Sequence, residues 1–275
     1  MGSIGLRLAP LLFITVCLTA GAAVTNEIRS ELAPTGTLRA AINYNNPLLA
    51  RRDARTGELS GLAVDLSREL AQRLGVPLQI IPCESAGKIT DSAKSNTWDI
   101  GYLAVDPRRA DEIDFTAAHV ELEGTYLVPA ASALRTVEDV DRDGIRIAVT
   151  SQSAYDLFLT RNLKHAQLIR ADNTPQSIVL MRDQKLDAVA AVKTALVAAA
   201  KQMPGSRVLP GHFMTIPQAA GVPKGRPAAA RYVSEFIEDM KASGFVGREL
   251  GKYGFGPDDA IVAPLARASS EQSRQ

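Results

Sequence analysis

Short apolar runs of strand length alternate with amphipathic stretches of helical period along most of this chain. Residues 37–42 and 76–82 read as strands. Between them, residues 57–61 form a turn and residues 65–74 a helix, with Leu66, Leu70 and Leu74 on one face and Gly75 as its stop. A helix through Ile89 and Ala93 leads to Trp98, and residues 100–105 form a further apolar run, the pattern of a strand covered on both faces. This βαβαβ order predicts a largely parallel sheet with covering helices. The pattern then restarts, with strands over 124–128, 145–149, 167–170 and 188–192, a short helical piece at 137–140, and helices over 154–163 and 174–183. The second unit has similar grammar but no evident sequence repeat of the first. A strand at 219–222, a helix from Pro227 to Ala242, a break at Ser243 and Gly244, and a shorter helix ending near Tyr253 close the pattern. Residues beyond about 265 are polar and expected to be disordered.

The first residues change the picture of where such a fold works. Arg7 precedes an unbroken apolar segment over 8–18, and small residues follow at 20–23, the grammar of a cleaved secretory leader over 1–23. The run is too short to span a bilayer comfortably. The full chain holds 31 basic and 30 acidic residues, and loss of Arg7 balances them, which argues against a nucleic-acid partner. Cys17 departs with the leader, so Cys83 is left alone and is read as a core thiol. The three histidines are scattered without paired ligand spacing, and neither a metal site, a glycine-rich phosphate loop nor any other cofactor motif is found.

The most informative stretch is residues 99–116. The apolar run ends at Asp106 and Pro107, a helix cap with proline in the first turn, which places Arg108 and Arg109 at a helix start. Cations there oppose the helix dipole, so another need holds at least one of them. In open α/β sheets small ligands lie beyond the carboxyl ends of the strands, and a guanidinium grips a carboxylate through two parallel hydrogen bonds. Arg109 is the leading ligand contact on this reasoning, with a solvated arginine as the bland alternative.

Gly-Glu-Leu-Ser-Gly-Leu-Ala-Val-Asp-Leu-Ser-Arg-Glu-Leu-Ala at 57–71, Trp98-Asp99, Asp-Pro-Arg-Arg-Ala-Asp-Glu-Ile-Asp-Phe-Thr at 106–116, the segment 139–149, Lys185-Leu186-Asp187-Ala188 and the closing helices resemble the extracytoplasmic solute-binding proteins of polar amino acid ABC importers. The resemblance spans nearly the whole chain after the leader. It implies an α/β fold of the type II periplasmic binding protein class: a two-lobed clamp, each lobe a mostly parallel sheet with covering helices, joined by two hinge crossings near Thr125 and Val222. Lobe 1 would take residues 24–125 plus 223–275, and lobe 2 residues 126–222. The implied protein is a periplasmic monomer without cofactor or catalysis, which closes on a small solute and is then recognised by an ABC permease in the inner membrane.

Carried over residue by residue, the family's ligand contacts give a mixed picture. Arg109 stands where the family holds the ligand carboxylate. Ala104 stands in place of a serine or threonine, and Gln152, Ser153 and Ala154 occupy the second-lobe loop that normally begins with glycine. The acid that pairs with the ligand's α-ammonium falls on Val192. Breaking such a buried pair costs about 3–5 kcal/mol, at least two decades of affinity at about 1.4 kcal/mol per tenfold. Two aromatic positions are lost, near Asn45 or Asn46 and at Ala86, and Tyr44 and Tyr102 are candidate substitutes. Lys88 and Lys193 are candidate extra cations, which with Arg109 would suit a ligand of more than one negative or strongly polar group. The expectation is a small carboxylate without a free α-ammonium, with a noncanonical amino acid as the second choice, and removal of Arg109 is expected to spare the fold. Alternatives are a dehydratase acting on cyclic carboxylates, which needs a positioned acid or base in the cleft, and a clamp that reports to a membrane sensor or a periplasmic enzyme.

Overall fold

The computed structural model describes residues 23–266, so the apolar run of the expected leader and the polar tail beyond 266 lie outside the described residues. Helix α1 (Asn26–Leu32) precedes strand β1 (Leu38–Asn43), the small strands β2 (Arg51–Arg52) and β3 (Leu59–Ser60), helix α2 (Leu62–Leu74) and strand β4 (Leu78–Cys83). Helix α3 (Ala86–Asp91), strand β5 (Ile100–Ala104) and the long strand β6 (Ile113–Pro129) follow. The second unit comprises β7 (Arg146–Thr150), α4 (Ala154–Asn162), β8 (Gln167–Ala171), α5 (Thr174–Asp183), β9 (Ala188–Val192), α6 (Lys193–Gln202) and β10 (Ser206–Val208). Strand β11 (Met214–Pro223), helices α7 (Pro227–Ala242) and α8 (Phe245–Lys252), and strand β12 (Ile261–Val262) return to the first.

One sheet runs through the molecule in the order β4-β1-β5-β11-β6-β9-β7-β8. Its two ends mirror each other. In the first half the second strand, the first and the third lie side by side in parallel, β4-β1-β5, and in the second half β8-β7-β9 repeat that order. The antiparallel strands β11 and β6 join the halves. An aspartate marks the same place in each half. The Asp99 carboxylate accepts the Arg39 backbone N–H at 3.0 Å just before β5, and the Asp187 carboxylate accepts that of Arg146 at 2.8 Å just before β9. Asp99 is fully buried and also holds the guanidinium groups of Arg39, at 2.8 Å, and Arg226, at 2.9 Å, tying the start of α7 to the sheet.

Helix α2 begins three residues before the expected start because Gly61 turns the chain there. Its φ of +143° suits glycine, and a Cβ would lie 2.5 Å from the Leu49 carbonyl oxygen. The stripe Leu62, Leu66, Leu70 and Leu74 is fully buried against the first half of the sheet. Each such side chain contributes about 1.5–3 kcal/mol through burial. A second cluster, with Trp98, Ile89, Leu103 and Ile113, packs on the opposite face.

The structure departs from the sequence expectations in four places here. Asp106 and Pro107 open only a 3₁₀ turn at Arg109–Asp111, since the chain must reverse at once into β6. The strand expected at 124–128 is the end of a seventeen-residue strand, and α6, which lacks a capping side chain, was not expected at all. Strand β6 changes partners at Gly124, pairing with β11 before it and with β9 from it onward. The return strand starts at Met214, and its residues Gln218 to Gly221 pair with β5, so the expected second crossing at Val222 falls at the far end of a strand belonging to the first half of the sheet.

Candidate functional site

The carboxyl ends of β1, β4 and β5 face those of β7, β8 and β9 across a cleft, because each parallel half presents its strand ends to the other. A cavity of about 40 Å³, partly open to solvent, lies there.

Arg109 lies on this cavity at 1% exposure. Its Nη1 donates to the Ala104 carbonyl on its own half at 2.8 Å, and its Nη2 donates to the Gln152 carbonyl on the other half at 2.8 Å. No carboxylate among the described residues comes within ion-pair distance of it. Burial lowers its pKa to about 10, against the opposing pull of Asp106, and the group remains a cation at neutral pH. A guanidinium has five donors, and two are spent on carbonyls, so three are left for a ligand oxygen. Because Arg109 is buried and bonded to both halves, removing it also leaves two carbonyls short of a donor. That alters the expectation that its loss spares the structure.

The opposing loop is held in a set shape. Gln152 sits in the left-handed region at φ +56°, which for a non-glycine residue costs on the order of 1–3 kcal/mol. The buried Asp156 carboxylate compensates by accepting the Gln152 N–H at 2.8 Å while pairing with Arg170 at 2.9 Å. Ser153 caps α4, its hydroxyl accepting the Asp156 N–H at 3.0 Å. This turn aims the Gln152 carbonyl at Arg109. Across from it stands Gly87, where a Cβ would meet the Gln152 Cβ at 2.9 Å. A further tie between the halves, Arg161 to Asp106 at 3.0 Å, lies beside the cavity.

The structure brings Asn46, Tyr102, Ala104, Arg109, Ser153, Ala154 and Val192 together on the cavity. Tyr102 adds little polarity, because its hydroxyl is buried in the first half without a hydrogen-bond partner and its ring meets His119 edge-on. Burial raises its pKa. Gln152 contributes its backbone carbonyl. Tyr44, Lys88 and Lys193 are elsewhere. The Tyr44 hydroxyl donates to Glu84 at 3.3 Å, and Arg52 covers its ring at 4.6 Å. Lys88 is exposed on α3, whose inward side is Ala86 and Gly87. Lys193 opens α6, and Glu123 on β6 draws its ammonium to 2.7 Å. The cation-rich cleft expected from these lysines is not assembled.

Several lining residues escaped the sequence reading. Thr150, Tyr155 and Thr174 form a hydroxyl cluster, with Thr150 to Thr174 at 3.2 Å and Tyr155 to Thr174 at 3.1 Å. Glu84, Ser85 and Asn43 follow or end the strands β4 and β1, and Gln218 projects from β11. A polar residue directly after an apolar strand was the available signal for Thr150 and Glu84. Gln218 had none, since its place depends on long-range pairing of β11 with β5. Cys83 is a half-buried free thiol whose pKa is raised by burial to about 11, in keeping with a packing role.

Comparison with known proteins agrees with this architecture. Residues 38–257 match the family of bacterial extracellular solute-binding proteins, family 3. The chain belongs to that family. It is 22% identical over 254 residues to the L-cystine-binding protein TcyJ of Escherichia coli K12, covering 89% of this chain and 94% of that one. It is 21% identical over 210 residues to a glutamine-binding protein of Geobacillus stearothermophilus, covering 75% and 79%. Among solved structures, a solute receptor for L-cysteine of Neisseria gonorrhoeae superposes with a TM-score of 0.74 at 21% identity, covering 84% of this chain and 97% of that one. The fold is thus the two-lobed type II periplasmic binding protein clamp. Family members are extracytoplasmic, and no helix among the described residues is long and apolar enough to cross a membrane.

Proposed function

We propose that this protein is the solute-binding component of an ABC uptake system, closing its two lobes in the periplasm on a small carboxylate that need not carry an α-ammonium. The observation that carries the reading is Arg109: a buried cation without a carboxylate partner among the described residues, with donors to spare, spanning the cleft between the halves. Val192, on the second-lobe side of the same cavity, offers no charge to an ammonium. The hydroxyls of Thr150, Ser153 and Thr174 and the amides of Asn46 and Gln218 supply neutral hydrogen bonds for the rest of the solute. Ligand contacts to both lobes would favour the closed form, whose outer faces would meet a permease. In this reading lobe 1 takes residues 24–124 and again from about 214, with lobe 2 between. The work done is capture and release, without bond chemistry.

Thermal unfolding of the chain from residue 24 against a panel of α-amino acids, mono- and dicarboxylates and cyclic acids tests this. Ligand at about 100 times its Kd stabilises a folded binder by roughly 2.7 kcal/mol, a rise of about 5–10 °C for a chain of this size. The expected result is a shift with an acid lacking an α-amino group. Arg109→Lys, which keeps the charge but loses the planar fork, should weaken that binding by about thirtyfold or more. A shift confined to α-amino acids, or undiminished affinity in Arg109→Lys, overturns the proposal.

A further inference from the structure

We infer that Arg161 and Asp106 form a latch between the lobes, an ion pair made only when the clamp is closed, which holds the closed form without touching the solute. Two groups of charged side chains join the halves among the described residues. In one, Glu123 on β6 meets Lys193 at 2.7 Å and His212 at 3.2 Å, next to Gly124 where β6 changes partners. Charges so close to the crossings move little when the halves swing. In the other, Arg161 on α4 donates from Nη2 to the Asp106 carboxylate of the first half at 3.0 Å. Asp106 follows β5, which lies outside the two joining strands β11 and β6 in the sheet, so the pair stands to one side of the crossings. A swing of the halves about those strands draws it apart.

Both partners are held in place before they meet. The Asp106 carboxylate accepts the Arg108 N–H through its other oxygen at 2.9 Å, and its backbone carbonyl accepts the N–H groups of Arg109 and Ala110, each at 3.0 Å. On the other side, Ser153 caps α4, and the Asp156 carboxylate binds Arg170 and the Thr160 hydroxyl, the residue beside Arg161. An aimed carboxylate and an arginine on a fixed helix give up little conformational freedom on pairing. Neither Arg161 nor Asp106 lines the cavity, so the pair acts on closure and not on the choice of solute.

In the open form water hydrates both groups, and the pair contributes to the closed form alone. A contact made in one of two states multiplies the ratio of closed to open molecules by a fixed factor. The affinity of any solute held between the lobes rises with the closed fraction. Asp106 is buried and Arg161 half-exposed, and a pair with one partner in water supplies a factor of about two to five. A glutamate at 161 would face the aimed carboxylate with like charge, lowering the ratio about tenfold or more. Asp106 also caps its own turn and bears on the charge of Arg109 beside it, so Arg161 is the partner to change.

Single-molecule fluorescence energy transfer on the chain from residue 24 tests the latch with no solute present, so its outcome is separate from that of the carboxylate reading. Dyes on Glu58→Cys in the first lobe and Asp172→Cys in the second, both exposed positions, in a Cys83→Ala background, report the ratio of closed to open molecules. The latch expects Arg161→Gln to lower that ratio about two- to fivefold and Arg161→Glu about tenfold or more, with Arg161→Lys staying nearer the wild type. Salt at about 0.5 M should narrow these gaps. Lys193→Gln, which removes a pair at the crossings, should lower the ratio less than Arg161→Gln does. A ratio unchanged or raised in Arg161→Glu, or an equal fall in Lys193→Gln, overturns the inference. Arg161 lies half-exposed on the surface of α4, so its replacement leaves the core of the lobe intact.

Discussion

His119 gives the sharpest test of how the first lobe is built. It lies on β6, fully buried, and neither ring nitrogen has a hydrogen-bond partner among the described residues. The Tyr102 ring faces it edge-on from β5, and the Lys241 ammonium on α7 donates to the carbonyl of the adjacent Ala118 at 3.1 Å while pairing with Glu238. Burial first, and the Lys241 charge second, lower its pKa to about 3. In the unfolded chain it titrates near 6.5. The folded state therefore keeps the ring neutral, and as pH falls below about 6.5 the unfolded state takes up a proton that the folded state refuses. Stability from this residue is complete above that pH and declines until about pH 3. At pH 5 the loss is about 1.5 pH units' worth, or roughly 2 kcal/mol at 1.36 kcal/mol per unit, against a total of about 5–15 kcal/mol for a typical domain. Urea unfolding at pH 8, 7, 6 and 5, run in parallel on wild type and His119→Leu, isolates the effect, because the carboxylates titrate alike in both. The wild type should lose about 2 kcal/mol more than the variant between pH 8 and 5. Parallel pH profiles, with the same slope in both proteins, would refute the argument that His119 is held neutral.

Two further outcomes follow from the lobe architecture. Asp99→Asn removes the carboxylate that neutralises Arg39 and Arg226 in the first lobe; breaking a buried charge cluster in this way should cost about 3–5 kcal/mol, read as a lower urea midpoint. Gly87→Ala places a Cβ 2.9 Å from Gln152 Cβ across the cleft. Overpacking of about 1–3 kcal/mol should then fall on closure alone, so affinity drops between about fivefold and 150-fold while unfolding in the absence of ligand is unchanged. A variant that unfolds earlier but binds normally would show that Gly87 supports the lobe and not the closing surface.

Much of the fold was legible because local signals and tertiary structure agreed. The stop at Gly75, the opening of α5 at Thr174 and Pro175, and the bounds of α7 at Pro227 and Ala242 were all read from the chain, since caps and breakers act on their own neighbours. Strand β6 was read only at its end, although Val120 and Leu122 alternate with Glu121 and Glu123 in the period of two that marks a half-covered strand. Its first part is polar enough to pass for a loop until β11 is seen to pair with it. Helix α6 carries no cap, so nothing local announced it.

The site was legible to the extent that it is made of strand ends. Arg109 stood out because a cation at a turn after a buried strand has no local reason to be there, and the structure gives that reason a form: one donor to each lobe and a buried charge without an acid partner among the described residues. The lysines misled for the complementary reason. A lysine beside a cleft motif looks available in sequence, yet Lys193 is claimed by Glu123, seventy residues away in the chain and adjacent only because β6 and β9 pair. The relation of Asp99 to Asp187 was hidden in the same way, since Trp98-Asp99-Ile100 and Leu186-Asp187-Ala188 share only an aspartate between apolar residues, while their carboxylates hold the same backbone position in two copies of one sheet. Charge at a site is therefore set by what the rest of the fold leaves unpaired. On that criterion Arg109, on the cavity and without an ion-pair partner among the described residues, is the charge on which the proposed carboxylate reading rests.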